Sequence, residues 1–250
     1  MKKIIIFLVV LLIFSLASCK NTKLDTLQNS MSTSSNNPLS NHQINGEDKK
    51  ADYVINENVI EDKTDEHNIW IKYPQLSGSN SNLNEINQTI KNYAKDYIYN
   101  NYSVYAPPAG FISIEIEYEI TLSSCDLFSV VFYGYGNAKK AAHPNNEFFT
   151  LNINLQDAKQ ILISDLYQVD DNFITACLEL WKSPKALKKI ERVELPEEKV
   201  LYLADENLKS NTFSIYLTDD SLGITFNVSH AIGDHMEIEI PYQGISEFLK

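Results

Sequence analysis

The stretch ISIEIEYEITL, residues Ile112–Leu122, sets the fold of this chain. Apolar and polar residues alternate along it, which is the pattern of an antiparallel strand with one face on a core and the other in water. The glutamates of the polar face are interpreted as a solvated surface, because glycoside chemistry needs one acid held protonated in a pocket. The predicted core face carries Ile112, Ile114, Ile116, Tyr118, Ile120 and Leu122, and the polar face carries Glu115, Glu117 and Glu119.

A helix is predicted directly before this strand, over Asn82–Tyr97. Its apolar residues recur at steps of three and four, which places them on one helical stripe. Asn82 and Glu85 have the spacing of a capping box at the N-terminus. We expect the helix to cover the apolar face of the strand.

The other elements come in blocks of strands and blocks of helices, which favours an α+β fold with antiparallel sheets packed with helices. A helix is expected from Asp171 and another over Ile245–Leu249. Asp219–Gly223 is interpreted as a hairpin turn. The remaining predicted strands are Val54–Ile60, Ile69–Tyr73, Leu127–Tyr135, Phe148–Leu155, Gln160–Ile163, Val200–Leu203, Thr212–Leu217, Leu222–Val228 and Met236–Ile240.

The N-terminus has the features of an export signal. Lys2 and Lys3 precede the apolar run Ile4–Leu16, which is shorter than the roughly 20 residues of a membrane span. The following Leu16–Cys19, LASC, resembles the lipobox of bacterial lipoproteins, in which the cysteine receives a diacylglycerol. This resemblance implies a signal peptide over residues 1–18 and a lipid at Cys19 that holds the protein at the extracytoplasmic face of the cell membrane.

Composition divides the rest of the chain. Residues 19–50 follow as a polar tether rich in Asn, Ser and Thr, which cannot bury a core. We expect one compact unit beyond it, with an N-terminal half over 51–165 and a C-terminal half over 166–250. Removal of residues 1–18 takes away two lysines and no acid, so the net charge falls from -12 to -14. Such a charge repels nucleic acid and allows a cationic partner.

Few residues point to chemistry. His230, Asp234 and His235 are interpreted as a polar loop between strands rather than as a metal site. Cys125 and Cys177 are compatible with one disulfide or with free thiols, and the second interpretation is preferred. No motif of a hydrolase, a nucleotide-binding loop or a zinc site occurs, so we predict no catalytic residue, no metal and no cofactor.

The order of the segments resembles the PdaC/RsiV-like superfamily of exported bacterial domains. The glycine-rich join of that family is replaced here by Lys140–His143, KAAH. The segments that carry the resemblance are Ile71–Leu76, Leu83–Asn87, Ile112–Glu119, Tyr133–Tyr135, Ala142–Pro144, Asn152–Leu155, Asp157–Lys159, Ile161–Tyr167, Phe213–Tyr216, Leu222–Phe226 and Ile238–Tyr242.

This resemblance implies a non-catalytic binding domain whose ligand is a lysozyme-like protein or peptidoglycan. The alternatives are a cell-wall enzyme and a structural or assembly lipoprotein. Loops held by a rigid sheet often carry binding groups, and exposed tyrosines suit sugar rings or protein interfaces. His143 is equally compatible with a structural role, and any single tyrosine with a place in the core. The candidate binding residues are His143, Pro144, Tyr133, Tyr135, Lys139 and Lys140.

Overall fold

The computed structural model describes residues 52–102, 110–141, 143–182, 188–189 and 196–250. The predicted signal peptide, Cys19 and the tether lie outside these residues. In the described part of the chain, no helix is both long enough and apolar enough to cross a membrane.

A six-stranded sheet forms the first half, with its strands in chain order. The strands are β1 (Tyr53–Lys63), β2 (His67–Gly78), β3 (Ile112–Ser123), β4 (Leu127–Ala138), β5 (Asn145–Asn154) and β6 (Lys159–Gln160). Helix α1 (Leu83–Tyr102) connects β2 to β3, and these two strands are parallel because the helix returns the chain to the starting edge. The other neighbouring strands of this sheet are antiparallel.

Helix α1 packs on one face of the large sheet, as the two apolar stripes predicted. Ile86, Ile90 and Ile98 of the helix are fully buried, as is Ile116 of β3. The helix continues one turn beyond Tyr97, which allows buried Tyr102 to join this first core.

A smaller antiparallel sheet forms the second half, in the order β7 (Lys188–Lys189), β10 (His235–Pro241), β9 (Ser221–Asn227) and β8 (Phe213–Leu217). Helices α2 (Ile163–Leu166), α3 (Asp171–Trp181) and α4 (Glu197–Ser210) accompany it. Phe173, Cys177 and Leu208 pack with Ile224 and Ile238 in a second core. Together the two halves confirm the predicted α+β fold.

Three local predictions were wrong. Val200–Leu203 is helical, because Val200, Ala204 and Leu208 form a buried stripe with the four-residue step of α4. The strand predicted over Gln160–Ile163 ends at Gln160, and the expected C-terminal helix is a pair of 3-10 turns, Tyr242–Gly244 and Ser246–Phe248.

The long strand also differs at its end. A register shift between Ile120 and Leu122 breaks the alternation. Leu122 therefore points to the opposite face from Ile116 and packs in the second core.

Buried polar side chains join the two sheets. Thr150 Oγ1 and Asn152 Nδ2 donate to the Ile215 carbonyl at 2.7 and 2.8 Å, and the Leu217 amide donates to Ser129 Oγ at 3.0 Å. These bonds satisfy backbone groups at the free edge of β8. They hold the small sheet over the β4–β5 part of the large sheet, and the outer face of β3 stays open.

Candidate ligand cleft

An open cleft of about 510 Å³ lies where the small sheet stops short of β3. Its floor is the outer face of β3 and β4, with Glu115, Glu117 and Glu119 beside Tyr133 and Tyr135. The two tyrosines are 43% and 49% exposed, so their rings are accessible to a ligand. Tyr216, His235 and Glu237 of the small sheet form the facing wall.

Two of the floor carboxylates are held in place. Tyr135 Oη donates to Glu115 Oε2 at 2.7 Å, and this bond raises the pKa of Tyr135. Lys72 Nζ lies 3.1 Å from Glu117 Oε1 and 3.7 Å from Glu57 Oε1, over the ring of Trp70. The floor therefore presents fixed acceptors next to aromatic surface.

The wall contains a buried carboxylate pair on one strand. Tyr216 Oη lies 3.1 Å from Glu237 Oε2 and 3.0 Å from Glu239 Oε1. Both glutamates are only 9% exposed. Burial raises the pKa of Tyr216 far above its ordinary value, and the two carboxylates add to the rise. A Cβ at Gly223 would lie 2.2 Å from this tyrosine ring, so glycine is required opposite it.

His235 connects this pair to the opening of the cleft. Its Nε2 is 3.6 Å from Glu237 Oε1, and its ring stacks on Phe148 with 4.5 Å between centroids. Its Nδ1 is buried and has no hydrogen-bond partner among the described residues.

Glu147 reaches the cleft from β5 and also contacts α1. Tyr102 Oη donates to Glu147 Oε1 at 2.6 Å. Burial raises the pKa of Glu147, and Asp234 raises it further, while the Tyr102 bond lowers it. The Tyr102 ring fits because Gly136 has no side chain: a Cβ there would lie 1.5 Å from Tyr102 Oη.

A second cavity of about 490 Å³ adjoins the cleft, and Tyr135, Asn146, Ile232 and Gly233 line both. His143 and His230 stack at its mouth, with 4.4 Å between ring centroids and 16° between ring planes. His230 Nδ1 is 2.8 Å from Asp234 Oδ1.

The structure separates the predicted site residues into three places. Tyr133 and Tyr135 line the cleft, and Tyr135 also lines the second cavity with His143 and Pro144. Lys139 and Lys140 are exposed and line neither cavity. Sequence reasoning missed Tyr216 and Glu237, which the small sheet brings opposite β3 from about a hundred residues away.

Another cavity and the two cysteines are less suited to form a ligand site. A larger cavity of about 760 Å³ lies between β8 and α3, but Thr150 and Asn152 on its lining already bond to Ile215. Cys125 and Cys177 are not joined by a disulfide, and burial raises the pKa of Cys177 to about 12. Among the described residues, no three His, Cys, Asp or Glu side chains are grouped so that they could hold a metal ion.

Comparison with known proteins found similar solved structures. One is a DUF3298 family member from Bacteroides fragilis, with 15% identity over 80% of this chain and 96% of that one and a TM-score of 0.49. Another is a DUF3298 family protein from Pseudomonas aeruginosa, with 11% identity, coverage of 79% and 93%, and a TM-score of 0.46. No protein-family model and no curated protein matches the chain. At these identities and scores, the two structures say nothing about the ligand of the cleft.

Proposed function

We propose that this chain is an exported bacterial lipoprotein, anchored through Cys19, whose folded part binds a cell-envelope ligand in the cleft without catalysis. The observation that supports the proposal most is the cleft itself. It combines a row of carboxylates with two exposed tyrosine rings on a sheet whose opposite face is packed against α1. A rigid support of this kind favours binding because little order is lost when a ligand docks.

The ligand we propose is a cationic protein of the lysozyme kind. Among the described residues, Lys72 forms an ion pair with Glu117 of this carboxylate row and another with Glu57 of β1, so the row as a whole stays negatively charged. The net charge of -14 that remains after removal of residues 1–18 steers basic proteins towards such a surface and raises their association rate. Peptidoglycan is the second candidate, since tyrosine rings beside carboxylates also suit sugars.

One observation favours the enzyme alternative. Glu237 is buried beside Tyr216 and His235 and lies across the cleft from the carboxylate row, and glycoside hydrolases use two carboxyl groups that flank the bound sugar. Turnover of purified peptidoglycan that disappears in Glu237→Gln would replace the binding proposal with this one.

The proposal is tested by binding of the detergent-solubilised full chain to lysozyme and, separately, to insoluble peptidoglycan. Tyr133→Ser combined with Tyr135→Ser should weaken binding about ten-fold or more, because exposed aromatic residues contribute strongly to interfaces. Tyr202→Ser is the matched control, since Tyr202 is 58% exposed on α4 and does not line the cleft. Binding to neither ligand at high micromolar concentration would leave an assembly role as the better explanation.

A further inference from the structure

The loop Ser229–Asp234 is fastened across the boundary between the cleft and the second cavity. Ile232 and Gly233 line both cavities, so this loop forms part of the partition between them. The amide of Asn146, at the start of β5, donates to Asp234 Oδ2 at 2.8 Å. The Asn146 side chain donates to the Gly233 carbonyl at 3.3 Å. The loop is thus connected to the large sheet mainly through Asp234.

Two histidines complete this connection. His230 Nδ1 holds the other oxygen of the Asp234 carboxylate at 2.8 Å, and the His230 ring lies flat against His143. His143 belongs to the segment before β5, so the stack joins the loop to the large sheet a second time. Asp234 itself has a positive φ of 74°, a backbone conformation that is uncommon for residues other than glycine.

We propose that the stacked His143–His230 pair is a proton-controlled clasp that fastens this loop at neutral pH and releases it in acid. The inference concerns regulation of the cleft and rests on the proposed function of that site. Histidine is the side chain that changes charge between about pH 5 and 8. A proton on His230 is neutralised by Asp234, but a proton on His143 as well places two cations face to face at the 4.4 Å separation of the rings.

The charged groups around the pair do not remove this repulsion. Asp234 is the acid in contact with His230. Glu147 of β5 lies close enough to Asp234 for the Asp234 charge to raise the pKa of Glu147, which disfavours a second negative charge on Glu147. His235 follows on β10, and Tyr135 of β4, which lines the same cavity, donates to Glu115. Lys139 and Lys140, exposed on the segment before His143, add positive charge to that side. Release of the loop would join the two cavities into one larger opening.

Hydrogen–deuterium exchange of the full chain, without ligand, tests the clasp. The reporters are the amide of Asn146 and that of Ile232, which donates to the Ser229 carbonyl at 2.8 Å. After correction for the intrinsic pH dependence of exchange, their protection should fall about ten-fold between pH ~7.5 and pH ~5. His143→Asn, with His143→Gln as a second neutral replacement, should remove most of this difference, and core amides of β3 serve as the folding control.

Equal or greater protection in acid would overturn the proposal, because the His230–Asp234 pair would then dominate. The proposal would also be overturned if amide protection fell in both His143 variants by as much as in the unmodified protein, since the pH dependence would then come from other groups. Exchange is measured without a ligand, so failure of the clasp leaves binding in the cleft unaffected. Conversely, absence of binding to lysozyme or peptidoglycan leaves the exchange result standing.

Discussion

At the scale of single residues, Glu147 has the most specific consequence for pH. Burial raises the pKa of its carboxyl above the ordinary value of 4.5. The folded state therefore holds this proton more tightly than the unfolded state does. The stabilisation from this group is complete below about pH 4.5 and is lost as the pH rises through the raised value.

Glu147→Gln should consequently increase the free energy of unfolding at pH ~7, because a neutral amide avoids the cost of a buried charge and its oxygen still accepts from Tyr102. The gain should shrink as the pH falls towards about 4. Urea unfolding of both proteins across this range measures it. The assigned pKa shift would be refuted if Glu147→Gln were less stable than the unmodified protein at pH ~7 and showed no gain in stability anywhere between pH ~7 and about 4.

Ile116→Asp should destabilise the protein by more than about 4 kcal/mol, since an unpaired carboxylate would enter the first core. Ile116 lies on β3 and is fully buried in the core that this strand forms with α1. Glu119→Asp on the exposed face of the same strand is the control and should change stability by less than about 0.5 kcal/mol. A folded, cooperative Ile116→Asp protein would show that this position is not in the core.

Residues that face one core were predictable from the alternation of apolar and polar residues. Of the cleft, only the floor could be predicted from the sequence, and the facing wall could not. Tyr133 and Tyr135 were identified because tyrosines near loops suit contacts with sugar rings or with protein interfaces. Tyr216 and Glu237 carry no local signal, because their role depends on how the small sheet docks on the large one. The glutamate row was correctly placed on the wet face, yet its facing wall comes from the other half of the chain.

At the scale of elements, the junction between the sheets depends on one hydroxyl. Ser129 Oγ donates to Asn152 Oδ1 at 2.7 Å and accepts from Thr121 Oγ1 and from the Leu217 amide. Ser129→Ala should reduce the free energy of unfolding by about 1–3 kcal/mol, because buried polar partners would lose their bonds. Ser214→Ala, on exposed Ser214 of β8, is the matched control. Equal stability of the two variants in urea unfolding would contradict this account of the junction.

Element types were predictable wherever one periodicity ran long enough. The alternation of β3 and the stripe of α1 each extend over ten or more residues. Val200–Leu203, VLYL, is too short to separate a strand from a helix, and only the later positions Ala204 and Leu208 show the four-residue step. The bulge after Ile120 could not be predicted from the sequence, because an apolar residue at position 122 fits a core on either face of the strand.

At the scale of the whole molecule, anchoring by Cys19 remains a prediction from the sequence. Cys19→Ala should release the protein from the membrane fraction or leave the signal peptide uncleaved, because the lipidated thiol is lost. Fractionation of cells and the mass of the processed chain measure this. A processed variant that stays membrane-bound would contradict the resemblance to a lipobox.

The central claim is that the carboxylates of the cleft bind a cationic envelope protein, and the salt dependence of lysozyme binding by the full chain tests it most directly. Glu115→Gln with Glu119→Gln should weaken binding about ten-fold at low salt and flatten its dependence on salt. Glu198→Gln with Glu247→Gln changes net charge equally at exposed positions outside the cleft and should have a much smaller effect. Equal weakening by both pairs, or binding that salt does not change, would contradict the claim.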